Sequence, residues 1–114
     1  MNKIPIDSKY FEEYIQRNAL FERAQTCLAA YLKDWYEDSP DSFVSDMRVP
    51  FQKVMETYDF QNKVVAINKN FFYEPPQDYL SVCISILDDE GSYVCQYLVF
   101  FDFSFGVIDD KLTR

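Results

Sequence analysis

The stretch from Tyr93 to Phe105, Tyr-Val-Cys-Gln-Tyr-Leu-Val-Phe-Phe-Asp-Phe-Ser-Phe, limits the fold more than any other part of the chain. Aromatic and β-branched residues dominate it, and such residues favour the pleated, half-buried surface of a strand. Alternate positions from Tyr93 through Cys95, Tyr97, Val99, Phe101, Phe103 and Phe105 are all apolar or aromatic. The other set, from Val94 through Gln96, Leu98, Phe100, Asp102 and Ser104, is mixed. One fully apolar face and one half-apolar face place a strand in the middle of a sheet.

The segment before it supplies the partner. From Asp78 to Leu87, the residues Leu80, Val82, Ile84 and Ile86 alternate with Ser81, Cys83 and Ser85. Asp88-Asp89-Glu90-Gly91 is a turn, with Gly91 suited to the left-handed position. Pairing Leu87 with Ser92 sets Leu80 against Val99, Val82 against Tyr97, Ile84 against Cys95 and Ile86 against Tyr93. Every pair is apolar, whereas a slip by one residue mixes the faces. Cys83 and Cys95 then lie on opposite faces, which forbids a disulfide between them.

The chain ahead of this hairpin changes period. Asp7 or Ser8 is a suitable N-cap, with Glu12 and Glu13 in the following turns. Apolar residues then recur at helical spacing to about Glu37, through Phe21, Ala24, Leu28, Tyr31, Leu32 and Trp35, with a break near Arg17-Asn18. Ser39-Pro40 stops the helix. Asp41 or Ser42 can cap a short turn through Phe43, Val44 and Met47. Pro50 suits the first position of a further helix bearing Phe51, Val54, Met55 and Tyr58. Strand spacing begins after Asp59. Lys63 to Ile67 reads as a strand, Asn68-Lys69-Asn70 as a turn or bulge, and Phe71-Phe72-Tyr73 as renewed extended chain before Pro75-Pro76. A last short segment spans Val107 to Leu112.

These elements predict one α+β domain over residues 1–114. Helices over about 8–58 pack on one face of a 3–5-stranded antiparallel meander over about 62–112. With 114 residues, 48% hydrophobic and 18% aromatic, the chain can build a core without staples. The opening residues Met1 to Asp7 lack the apolar core of a signal peptide. An odd set of dispersed cysteines, Cys27, Cys83 and Cys95, reads as reduced thiols, so a cytoplasmic location is expected.

The chemistry is bounded by what is missing. There is no histidine, and only two glycines. Ser-His-Asp and Cys-His catalysis, Cys/His zinc sites and glycine-rich phosphate loops are excluded. Neither a metal nor a cofactor is expected. With 19 acidic against 11 basic residues and a net charge of −8, direct nucleic-acid binding is not expected, because phosphate contacts need a basic patch. No segment reads as a membrane span. A basic partner, in contrast, is attracted.

Three acidic groups invite attention: Asp88-Asp89-Glu90 in the turn, Asp109-Asp110 near the C-terminus, and Glu37, Asp38 and Asp41 at the helix end. Acids in turns are ordinarily just solvated, although paired carboxylates can hydrolyse glycosides or hold calcium. Asp102 interrupts the aromatic strand; it pairs with a cation, lines a pocket or faces a partner. The aromatics Trp35, Tyr36, Phe72, Tyr73, Tyr79 and Phe100 exceed what one compact core needs. On the mixed sheet face, Tyr79 and Phe100 lie with Leu98, Ser81 and Asp102, and either a homodimer mate or a different partner protein covers them.

The acidic turns at Asp88-Asp89-Glu90 and Asp109-Asp110, and the aromatic strand around Tyr97–Phe103, give the chain a character that resembles the small acidic cytosolic immunity proteins of bacterial toxin–immunity pairs, including those of contact-dependent growth inhibition. The resemblance implies a non-catalytic, protein-binding inhibitor that occludes a cognate basic toxin or nuclease. The expected partner-binding residues are Asp88, Asp89, Glu90, Asp102, Asp109, Asp110, Tyr79 and Phe100. Two alternatives stay open. One is a phage-type inhibitor that mimics nucleic-acid charge against a host nuclease. The other is a cone-shaped small-ligand binder with Tyr93, Tyr97, Phe101 and Asp102 in its pocket.

Overall fold

Helix and strand divide the chain where the hydrophobic period changes. The computed structural model describes residues 8–114. Asp7, one candidate N-cap, lies outside the described residues. Four helices come first: α1 (Ser8–Arg17), α2 (Leu20–Asp38), α3 (Pro40–Met47) and α4 (Phe51–Thr57). Four strands follow: β1 (Asp59–Asn70), β2 (Gln77–Leu87), β3 (Tyr93–Phe101) and β4 (Val107–Thr113). They pair antiparallel in the order β1-β2-β3-β4, a meander. The fold is α+β, with the helices preceding the sheet. Among the described residues no helix is long and apolar enough to cross a membrane.

The break between α1 and α2 is a single left-handed residue, Ala19, at φ 51°. Asn18 donates its side-chain amide back to the Tyr14 carbonyl at 2.9 Å, closing the end of α1. α2 lies over β2 and β3 and buries Leu20, Ala24, Leu28 and Leu32. Spacing of four residues keeps that stripe on one face. Below it sit Val82, Ile84, Ile86, Cys95, Tyr97, Val99 and Phe101, the core side of the sheet. One flank of α2 is tied to β1, where Gln25 donates to the Phe60 carbonyl at 3.2 Å and to Asn62 Oδ1 at 2.8 Å.

Ser39 ends α2, and Pro40 opens α3 directly, so α3 is a helix whose N-cap position is Ser39 rather than Asp41 or Ser42. Pro50 sits at the N-cap of α4, one position earlier than its ring alone suggests. Phe43 anchors both short helices: its ring lies 4.8 Å from Trp35, 5.2 Å from Tyr36 and 6.3 Å from Phe51. Trp35 and Tyr36 are thus core partners. Met55, in contrast, is 37% exposed on the outside of α4.

Three features of the sheet differ from the expectation. β1 runs unbroken through Asn68-Lys69-Asn70, with its bulge earlier, between Asn62 and Val64. Phe71-Phe72-Tyr73 is loop, opened where Asn70 Oδ1 accepts the Phe72 N–H at 2.9 Å. The β2–β3 register is displaced by two residues: Leu80 faces Phe101, Val82 faces Val99, Ile84 faces Tyr97 and Ile86 faces Cys95. The turn holds one more residue than assumed, because Leu87 pairs with Tyr93, and Val94 is a bulge. Each of these steps alone flips the faces; together they restore them, so Cys83 and Cys95 do lie on opposite sides.

The β2–β3 and β3–β4 connections are the same device. In the first, the Asp88 N–H donates to the Ser92 carbonyl, and Asp88 Oδ1 accepts the Glu90 and Ser92 N–H groups at 3.0 and 2.9 Å. In the second, the Asp102 N–H donates to the Gly106 carbonyl, and Asp102 Oδ1 accepts the Ser104 and Gly106 N–H groups at 2.8 and 3.0 Å. The fourth residue is left-handed in both: Gly91 at φ 81° and Phe105 at φ 67°. At Gly106 a Cβ would meet Asp102 Oδ2 at 2.9 Å, so any larger residue there must shift the capping carboxylate. Phe105 holds a conformation unfavourable for an aromatic residue. The Arg23 guanidinium over its ring at 4.7 Å offsets part of that cost. β3 therefore ends at Phe101, and Asp102, Phe103 and Phe105 belong to a turn, not to the strand.

Candidate functional site

A concavity lies where the helices stop short of the sheet edge. α2 covers β2 and β3, and none of the closely packed element pairs joins a helix to β4. The core-side residues of β4, Val107, Asp110 and Leu112, therefore face an open groove of about 1060 Å³. The opposite wall is α2. Tyr31, Asp34, Trp35 and Asp38 fall at i, i+3, i+4 and i+7, which sets all four along one helix face. α3 closes one end with Asp46 and Met47, and the start of β3 contributes Val94 and Cys95.

The groove has an apolar and aromatic floor and an acidic rim. Asp34, Glu37, Asp38, Asp46 and Asp110 line it, with Arg114 as the one cation among the described residues that do so. Arg114 is engaged by Asp46 at 2.7 Å. Lys33 reaches Glu37 at 4.0 Å from the solvent side, in a pair too exposed to neutralise the rim. The groove is thus a region of negative potential beside low-dielectric walls, which focuses attraction on cations.

Asp110 is the residue that joins the groove to the core. It pairs across from Val99, a core position, so its side chain must lie on the helix side of the sheet. The buried Tyr97 hydroxyl donates to Asp110 Oδ2 at 2.7 Å. Burial, then the hydrogen bond and charge of Asp110, push the Tyr97 hydroxyl far above its ordinary pKa. Burial and the same carboxylate also raise Cys27. Burial pushes the Cys95 thiol up to about 11, with Arg114 opposing and Asp46 adding to the rise. None of these groups is primed as a nucleophile near neutral pH, since the reactive species is the thiolate or phenolate.

The raised thiol gives an alkaline limit to stability. Unfolded, Cys95 releases its proton near 9.0; folded, it holds the proton to about 11. The contribution is complete below pH 9 and is lost as pH rises through that window, because the unfolded chain then binds fewer protons. The urea midpoint should fall between pH 9 and 11, and Cys95→Ala should flatten that decline. An equally steep decline in the variant would assign the limit to other raised groups, among them Tyr97, Cys27 and Cys83.

The structure distributes the sequence-selected residues over four places: the groove, the helix-free sheet face and the two turns that flank β3. Of the expected partner-binding residues Asp110 alone lines the groove, where it meets Glu37 and Asp38 of the acidic helix end. Tyr79 and Phe100 form an edge-to-face pair, 5.8 Å between ring centres, on the sheet face that carries no helix. Asp109 shares that face opposite Phe100, and its Oδ1 accepts the Asp110 N–H at 2.9 Å. Asp88, Asp89 and Glu90 form the β2–β3 turn, and Asp102 caps the β3–β4 turn. Asp89 and Glu90 are exposed, but Asp88 is only 9% exposed, with Arg48 3.6 Å from its second oxygen. Asp88 and Asp102 thus have local structural work in their turns. Of the residues considered for a ligand pocket, Tyr97 and Phe101 are fully packed, Tyr93 is half exposed, and Asp102 sits in its turn. The loop aromatics Phe71 and Phe72 project at the far end of the sheet, 75% and 101% exposed.

Tyr31, Asp34, Asp46 and Arg114 were not singled out by sequence reasoning. The spacing of Tyr31, Asp34, Trp35 and Asp38 carried the signal, but only the position of β4 shows that this helix face is left open. Among the described residues, no three His, Cys, Asp or Glu side chains converge as metal ligands. Comparison with protein-family models, curated proteins and solved structures gave no match.

Proposed function

We propose that this protein is a non-catalytic inhibitor that binds and occludes a basic protein, in the manner of the cytoplasmic immunity proteins that the sequence resembles. The observation that carries the reading is the groove itself: five carboxylates above an aromatic floor, beside a single, already paired cation. Half-buried aromatics beside charge are what a protein interface uses, with the rings supplying contact area and the rim supplying steering. A basic toxin or nuclease offers the complementary surface, and a nuclease offers it where its substrate's phosphates would lie.

The test is capture from the source cell's lysate at low and high salt, with the groove variant Asp34→Lys/Asp38→Lys beside the wild type. A basic protein held by the wild type, released by salt and bound at least about tenfold more weakly by the variant, is the expected result. Equal retention by the variant would remove the groove from the interface. Equal loss on Asp89→Lys/Glu90→Lys would move the interface to the β2–β3 turn.

A further inference from the structure

We propose that the groove receives an extended basic segment of the partner, which adds to the free edge of β4 as a fifth strand. This deepens the preceding proposal and rests on it. In the meander β4 is an outer strand, so one row of its backbone N–H and C=O groups has no strand partner. The row and the groove run side by side, since Val107, Asp110 and Leu112 belong to both. A strand laid on that edge hydrogen-bonds through its backbone and points alternate side chains over the groove. Those side chains meet Asp34, Asp38 and Asp110 around Tyr31 and Trp35, a setting for Lys or Arg stems with charged ends.

The occupant is fixed by charge. A second copy pairing β4 to β4 would bring Asp109 and Asp110 of both chains together, and like charges across strands repel. The opposite edge, β1, is interrupted by its bulge at Asn62/Val64, which blunts pairing. The bulge of β4 lies at its beginning, and Asp109 to Thr113 is regular. One edge group is guarded: the Asp110 N–H is held by the Asp109 carboxylate, which an incoming carbonyl must displace.

The probe is an eight-residue peptide of alternating Lys and Val, with a twin N-methylated at alternate residues so that charge is kept and edge pairing is lost. At low salt the unmodified peptide is expected to quench Trp35 fluorescence and to slow amide exchange over residues 109–113 at least tenfold. The twin is expected to bind at least tenfold more weakly. Equal binding of both peptides, with Trp35 quenched and the β4 amides unchanged, would overturn strand addition and leave the groove reading standing. No binding of either peptide would overturn both. Protection of the β4 amides that grows with protein concentration, without peptide, would assign the edge to a second copy and overturn the proposal.

Discussion

Tyr97→Ala should cost about 3–5 kcal/mol of stability, and Tyr97→Phe about 1 kcal/mol. The ring is wholly buried, packs edge-to-face on Tyr31 at 5.7 Å, and pairs across the sheet with Ile84 and Leu112. Truncation removes that contact and leaves a cavity between α2 and β3. The phenylalanine variant keeps the ring and removes only the hydrogen bond to Asp110. Domains of this size have about 5–15 kcal/mol in hand, so the alanine variant loses a large share of it. Urea unfolding followed by circular dichroism at pH 7 separates the two losses. Equal losses would place the hydroxyl, not the ring, at the centre of the packing.

The second large effect compares the two turns. Asp88→Ala should cost about 3 kcal/mol and Asp102→Ala about 1 kcal/mol, although both carboxylates accept a matching pair of backbone N–H groups. The difference is burial. Asp88 is 9% exposed and its bonds from the Glu90 and Ser92 N–H groups are partly buried, so its removal leaves donors that water reaches less freely than those around the exposed Asp102. The Arg48 guanidinium is 69% exposed, so Arg48→Ala should cost well under about 1 kcal/mol. Thermal unfolding of the three variants gives the ranking. Equal losses for the two aspartates would show that the turn hydrogen bonds alone, not their shielding, set the cost.

The same pair of turns explains what could be read in the chain and what could not. Gly91 marks the left-handed seat of the first turn, and the turn is legible there. In the second, Phe105 occupies that seat and the glycine follows it, so the aromatic alternation runs on through Asp102 and conceals the end of the strand. The faces of the hairpin follow from the alternation itself. The register needs the five-residue turn and the Val94 bulge, which turn chemistry sets and side-chain pattern does not. The helix end at Ser39 follows from proline chemistry, and the break near Arg17-Asn18 lies within two residues of the left-handed Ala19. The groove depends on which strand α2 leaves uncovered, a matter of packing between segments distant in sequence. Local spacing could offer only its helical half.

Putting the helices ahead of the sheet has a consequence for biosynthesis. The stripe of Leu20, Ala24, Leu28 and Leu32 leaves the ribosome before any of the strands that bury it. At about 5–20 residues per second, Leu32 precedes Leu80 by roughly 2–10 seconds. During that interval α2 presents its apolar side to the cell. The strands then appear in the order in which they pair, each next to its neighbour, so closing each hairpin costs little entropy. The apolar side of the nascent helix stays uncovered until β2 and β3 emerge, and the element made early is completed by those made late.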